Sequence, residues 1–152
     1  MYQMIGIDPS EAANSTPQFT PGTHGIDDNG KIYKYLQYDT GTAGASSVVG
    51  EVAYYYLASG YNGHVCTSDL SDSVNIGAGV AQVVCADGEY AWFQIKGPAT
   101  LSIALTAGVD GNALTPVGST DGSLDVSALV TDNICAYADD ASAKEIVCDF
   151  PW

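Results

Sequence analysis

The chain contains no arginine, and its only lysines are Lys31, Lys34, Lys96 and Lys144. Against them stand 18 acidic residues, for a formal net charge of −14 over 152 residues. Nucleic-acid binding rests on Lys and Arg neutralising phosphates, so this balance argues against DNA or RNA as a partner. It suits display towards solvent or docking on a basic surface. Long apolar runs are missing too: the longest, near Val52–Ala58 and Ala91–Ile95, fall far short of a bilayer span, and no membrane partner is expected. The opening "MYQMIGIDPSEAA" has no basic start followed by an apolar run, so no secretory leader is expected.

Groups for catalysis are scarce. Histidine occurs only as His24 and His64, and neither adjoins a G-x-S-x-G element that would carry a nucleophile. "GTAGA" (41–45) lacks the lysine and helix of a phosphate loop. Glu11, Glu51, Glu89 and Glu145 are scattered, which leaves the aspartates as solvated side chains rather than a glycosidase pair. The expectation is a non-enzymatic protein without cofactor or metal.

Cysteine occurs at 66, 85, 135 and 148, with no C-x-x-C spacing. The apolar company of Cys85 ("AQVVCA") and Cys148 ("EIVCDF") favours buried thiols. A Cys135–Cys148 disulfide and a metal site using His64 and Cys66 stay open as alternatives. Asp110, Asn112, Asp121 and Asp125 sit in glycine turns that offer oxygen ligands, yet Asp and Asn before Gly are also ordinary turn chemistry.

What the chain has is strand signal from Lys31 onwards. "KIYKYLQY", "VVGEVAYYYLAS", His64–Thr67, Val80–Cys85, Tyr90–Lys96, "ATLSIALTA", Ala113–Val117, Ser123–Val126 and the pair within "NICAYADDASAKEIVCDFPW" recur every 8 to 12 residues with turn residues between them. The fold class is all-β, a small sandwich or barrel over residues 31–152. Residues 1–30 differ: Pro9, Pro17, Pro21 and several glycines exclude a helix or a central strand. Spaced anchors at Tyr2, Met4, Ile7 and Phe19 make this segment an extended arm, expected to order only over a neighbouring subunit.

The most regular passage is "GVAQVVCADGEYAWFQIKG" (79–97). With Asp87-Gly88 as a two-residue loop, Cys85 is expected opposite Tyr90 and Val83 opposite Trp92. Phe93 and Ile95 then face the core, while Tyr90, Trp92, Gln94 and Lys96 form a face free for water or a partner. Gly97-Pro98 is expected to end that ladder. Ten tyrosines add to the same theme. Tyr54, Tyr55 and Tyr56 alternate faces on one strand, so one of those faces is expected at an interface.

The 79–97 passage resembles the head-decoration, or cement, proteins of tailed bacteriophages. In that family a strand beginning G-[VI]-A turns into a strand carrying W-[VF]-Q-x-x-G. Gly79, Val80, Ala81, Gly88, Trp92, Phe93, Gln94 and Gly97 carry the match, and "ALTPVGSTDGSLD" and "PQFTPGTHGIDDNGKIYKYLQYD" extend it over about residues 17 to 150. The resemblance implies a viral structural protein of the virion, seated on the outer capsid surface after assembly in the host cytoplasm. Its partners would be the major capsid protein and further copies of itself, a trimer being favoured. Contacts with capsid or subunit are expected from Tyr2, Met4, Ile7, Phe19, Tyr54, Tyr56, Tyr90 and Trp92. The alternative is a carbohydrate- or receptor-binding β module on a virion or cell surface, with Trp92 and the tyrosines as stacking platforms.

Overall fold

The computed structural model describes residues 3–152. In chain order the strands are β1 (Gln3–Ile5), β2 (His24–Ile26), β3 (Ile32–Tyr38), β4 (Val52–Tyr56), β5 (Val65–Thr67) and β6 (Ser73–Ala81). They continue with β7 (Tyr90–Thr100), β8 (Ala113–Thr115), β9 (Asp125–Val126), β10 (Ala136–Asp140) and β11 (Glu145–Asp149). All belong to one sheet, ordered β1-β2-β3-β5-β4-β6-β7-β11-β10-β8-β9. A further ladder between β3 and β7 closes β3-β5-β4-β6-β7 into a five-stranded barrel. The fold is all-β.

The barrel interior draws on each of its strands. Leu36 and Tyr38, Ala53 and Tyr55, Cys66, Ala78 and Ala81, and Ala91 and Phe93 form one buried cluster. A second core lies between β4, β6 and β7 and the flanking strands β8, β10 and β11, where Val52, Tyr54, Val80 and Ile95 meet Leu114, Ile146 and Phe150. Neighbouring tyrosines therefore bury in opposite directions: Tyr55 enters the barrel, Tyr54 enters the flanking core, and both are fully buried. The expected exposed tyrosine face is absent here because β4 has a packed layer on each side.

β7 is the longest strand and changes partner along its length. Its first half pairs with β3, from Gln37↔Tyr90 to Ile32↔Lys96, and its second half with β11, from Asp149↔Lys96 to Glu145↔Thr100. The partner β6 touches it only through Val80↔Gln94 and Ala81↔Phe93. The expected tight hairpin is thus displaced by one residue and ends at Ala81. Beyond Ala81 the chain turns towards the 47–50 loop: Ser47 donates its backbone N–H to the Cys85 carbonyl at 3.0 Å, and the Cys85 N–H donates to Ser47 Oγ at 2.9 Å. Cys85 is drawn away from Tyr90 by these bonds.

Gly97-Pro98 does not end the ladder. Past Lys96, β3 has finished and β7 keeps only β11 beside it, so Pro98 lies on an edge where a missing N–H costs little. Gly97 takes φ 96°, and the buried Gln94 amide donates to the carbonyls of Lys96 at 3.3 Å and Pro98 at 2.8 Å, bracketing the bend. Gly79 has φ 144°, and a Cβ there would come within 2.9 Å of the Gln94 carbonyl oxygen. Leu101, Ile103 and Leu105 do alternate inward, but as an irregular segment rather than a strand.

The N-terminal stretch lies across its own barrel. β1 pairs in parallel with β2, which pairs with β3, and Asn14 exchanges two backbone hydrogen bonds with Tyr90. Met4, Ile7 and Phe19 pack on Tyr33, Tyr35 and Trp92, a third cluster on the outer face of β3 and β7.

Two stability outcomes follow from this packing. Phe93→Ala is expected to cost about 3–5 kcal/mol in chemical denaturation, as for other fully buried phenylalanines, because Phe93 is wholly enclosed. Removing residues 1–19 is expected to lower the melting temperature clearly, since it bares Trp92 and Tyr35. An unchanged melting temperature would show that the segment contributes nothing to the folded domain.

Candidate functional site

The outward face of β7, expected to be free, is covered. Trp92 and Gln94 are 2% exposed. The Phe19 ring sits 5.2 Å from both Trp92 and Tyr35, and Tyr35 stacks with Tyr90 at 6.1 Å. The Tyr35 hydroxyl accepts from the Gln18 N–H at 3.1 Å, and the Gly22 N–H donates to the Tyr35 carbonyl at 2.7 Å. Of the expected contact residues, Tyr2 lies outside the described residues. Met4, Ile7, Phe19 and Tyr90 are half-buried around this cluster, while Trp92 and Tyr54 are enclosed by their own chain. Tyr56 is half-buried at the end of β4, and the carboxylate of Asp39, ahead of Asp72, Asp87 and Asp69, raises its phenol pKa.

Asp110, Asn112, Asp121 and Asp125, weighed between turn chemistry and oxygen ligation, each accept a backbone hydrogen bond. Asp110 accepts from the Ala141 N–H, Asn112 from Val109, Asp121 from Leu70 and Asp125 from Val126, at 2.7 to 2.9 Å. Among the described residues no three His, Cys, Asp or Glu side chains converge on one point. All four cysteines are free and buried, with Cys66 and Cys85 in the barrel and Cys135 and Cys148 in the flanking core. Burial pushes the Cys85 thiol up to about 11 and Cys148 up to about 12.

One charged group lies where the charge pattern did not suggest it. Lys34 is 2% exposed at the barrel mouth. Its Nζ donates to the Tyr55 hydroxyl at 2.8 Å and to the Trp152 main-chain oxygen at 3.0 Å, and lies 4.7 Å from the centre of the Tyr61 ring. The Tyr61 hydroxyl donates to the same Trp152 oxygen. His24 stands opposite Lys34 on β2, with its ring edge-on to Trp152 at 5.5 Å. Burial, followed by the Lys34 charge, lowers the pKa of both His24 and His64. The Lys34 ammonium is protonated at neutral pH, but burial pulls its pKa down from 10.5 to about 8. The signal was present in "IYKYLQY": period-two alternation places Lys34 on one face with Ile32, Leu36 and Tyr38.

Solvent-facing apolar side chains cluster elsewhere. Val48, Val49 and Val84 are exposed where the 47–50 loop meets the 82–85 segment, and Tyr137 and Val147 are exposed on β10 and β11. No family model, curated protein or solved structure matches the chain.

Two outcomes test the buried groups. Between pH 8 and 10.5 the unfolded chain keeps the Lys34 proton and the folded chain releases it, so the Lys34 contribution to stability rises across that window and is lowest below pH 8. The stability difference between wild type and Lys34→Met is therefore expected to shift towards wild type as pH is raised from neutral through this window. A flat difference would mean a solvated ammonium. Separately, a thiol-reactive dye should label none of the four cysteines in the folded protein and all of them in denaturant.

Proposed function

We propose that this is a structural, non-enzymatic decoration protein of a tailed-phage head, binding the outer capsid surface and tying major capsid subunits together. The observation that carries the reading is a β scaffold with two packed cores that turns apolar side chains on its strands outwards, Val147 and Tyr137 among them, in a strongly acidic chain. Such a molecule is suited to docking by surface. Gly79, Trp92, Gln94 and Gly97, the residues of the decoration-family pattern, shape β7 and its neighbours.

The glycan-binding alternative relied on Trp92 as an open stacking platform. Phe19 and Tyr35 both pack against that ring and leave it buried, so this platform is taken by the chain itself. Docking as a homo-oligomer, with a trimer favoured, would engage several capsid subunits at once, and each copy then needs only modest affinity. An interface of roughly 1,200 to 2,000 Å² is sufficient for a stable seat.

Mass spectrometry of purified particles from the encoding phage should find the chain in stoichiometric ratio to the major capsid protein. Heads assembled without it should regain heat resistance when the purified protein is added back. Association should slow as salt rises, because exposed charges are screened beyond about 8 Å at physiological ionic strength. Absence from the particle, or heads indifferent to the protein, would overturn the proposal.

A further inference from the structure

The end of β7, with β11 and β10, forms a sheet whose inner side supplies Ile146, Cys148, Ala136 and Ala138 to the flanking core. Its outer side faces solvent, with alternation of buried and exposed positions along β10 and β11. Rows of side chains cross that outer side. In the middle row Pro98 is opposite Val147 and Val147 opposite Tyr137. Val147 is 41% and Tyr137 44% exposed, and Pro98 is exposed as well. Single exposed apolar residues are ordinary, but a contiguous row fixed on three paired strands is the signature of a contact surface.

Charge frames the row unevenly. On one side Lys96 and Asp149 form an ion pair at 2.6 Å. On the other, Glu145 stands opposite Thr100, and exposed Asp139 lies where the β10–β11 register shifts. Lys96–Asp149 is the only ion pair among the described residues, so Glu145 and Asp139 keep their charges uncompensated by direct contact. Pro98, Thr100, Asp139 and Glu145 line a hollow beside this row, and Lys31 lines it from just ahead of β3.

A second copy is a poor occupant. A two-fold axis running along the strands sets Asp149 against Asp149 and Glu145 against Glu145. An axis running across the strands sets Asp149 against Glu145. The unpaired Glu145 meets an acid in both cases, with only the lysine of the Lys96–Asp149 pair nearby to offset it, and like charges brought together at an interface are costly.

We infer that this β7–β11–β10 face is the docking surface for a different protein, one that sets an apolar or aromatic side chain on Val147 and Tyr137 and lysine or arginine against Glu145 and Asp139. The inference rests on the proposed decoration role and names the side of the molecule that meets the capsid. The acidic flank supplies steering and register, and the apolar centre supplies the slow dissociation.

The test uses heads assembled without the protein and the full-length chain, with binding measured by co-sedimentation. Val147→Lys, Tyr137→Lys and Glu145→Lys should each weaken binding by about tenfold or more, as substitution at the centre of an interface does. Val130→Lys, at a position fully exposed to solvent, adds the same charge elsewhere and should bind as wild type. In the bound wild type, Tyr137 should be protected from hydroxyl-radical oxidation, a readout that needs no variant to fold. Wild type that fails to bind heads would overturn the decoration role and this inference together. Wild type that binds while the three variants bind equally, or Tyr137 that stays unprotected, would overturn the assigned face and leave the decoration role standing. Equal weakening by Val130→Lys would show an effect of total charge and would also overturn the assignment.

Discussion

The ladder between β3 and β7 is the constraint on which the other layers depend. Closing the barrel there gives β3 and β7 an inner face, which Leu36, Ala91 and Phe93 fill, and an outer face that must also be dried. Tyr33, Tyr35 and Trp92 stand on that outer face, too large and too apolar to leave in water. The N-terminal stretch meets that requirement by laying Met4, Ile7 and Phe19 over them. The far half of β7 carries the flanking strands in turn, since β11 pairs with it from Lys96 to Thr100. One strand thereby organises the barrel, the N-terminal cover and the outer sheet.

Much of this architecture was legible from residue order. The all-β class, the strand at 32–38, the inward set of Phe93 and Ile95, and the closing pair with Ile146 and Cys148 inward follow from period-two alternation between turn residues. Alternation reports two faces, however, and is silent on whether both are covered. Alternation and the enrichment of Trp and Tyr at interfaces point Trp92 and Tyr54 to contact surfaces. The partners are Phe19, from a proline- and glycine-rich stretch without periodicity, and the distant β8–β11 layer. The hairpin register was off by one residue for a related reason: the Asp87-Gly88 signal is local, whereas Ser47 captures Cys85 from a remote loop.

The candidate surfaces were less legible than the fold. Tyr137 and Val147 are the outward members of a half-buried pair of strands, and only the ladder joining them to Pro98 reveals a row. Lys34 shows the converse. Its charge is of a kind usually left in water, yet it is buried, and Tyr55, Tyr61 and the Trp152 main chain replace water around the ammonium. A buried cation of this kind carries a desolvation penalty that its contacts offset only in part, consistent with the lowered pKa.

Barrel closure also governs how quickly the molecule can form. Tyr35 pairs with Trp92, Asn14 bridges to Tyr90, and Val147 pairs with Pro98, so the defining contacts join parts of the chain remote in sequence. Each requires a long loop to be closed before its contacts give any return, which slows folding in all-β chains. While β7 waits for β3 and the N-terminal cover, its aromatic face is exposed and open to pairing with other chains. For this protein the hazardous interval lies in assembly of the fold, before the acidic surface and the sealed Trp92 cluster are both in place.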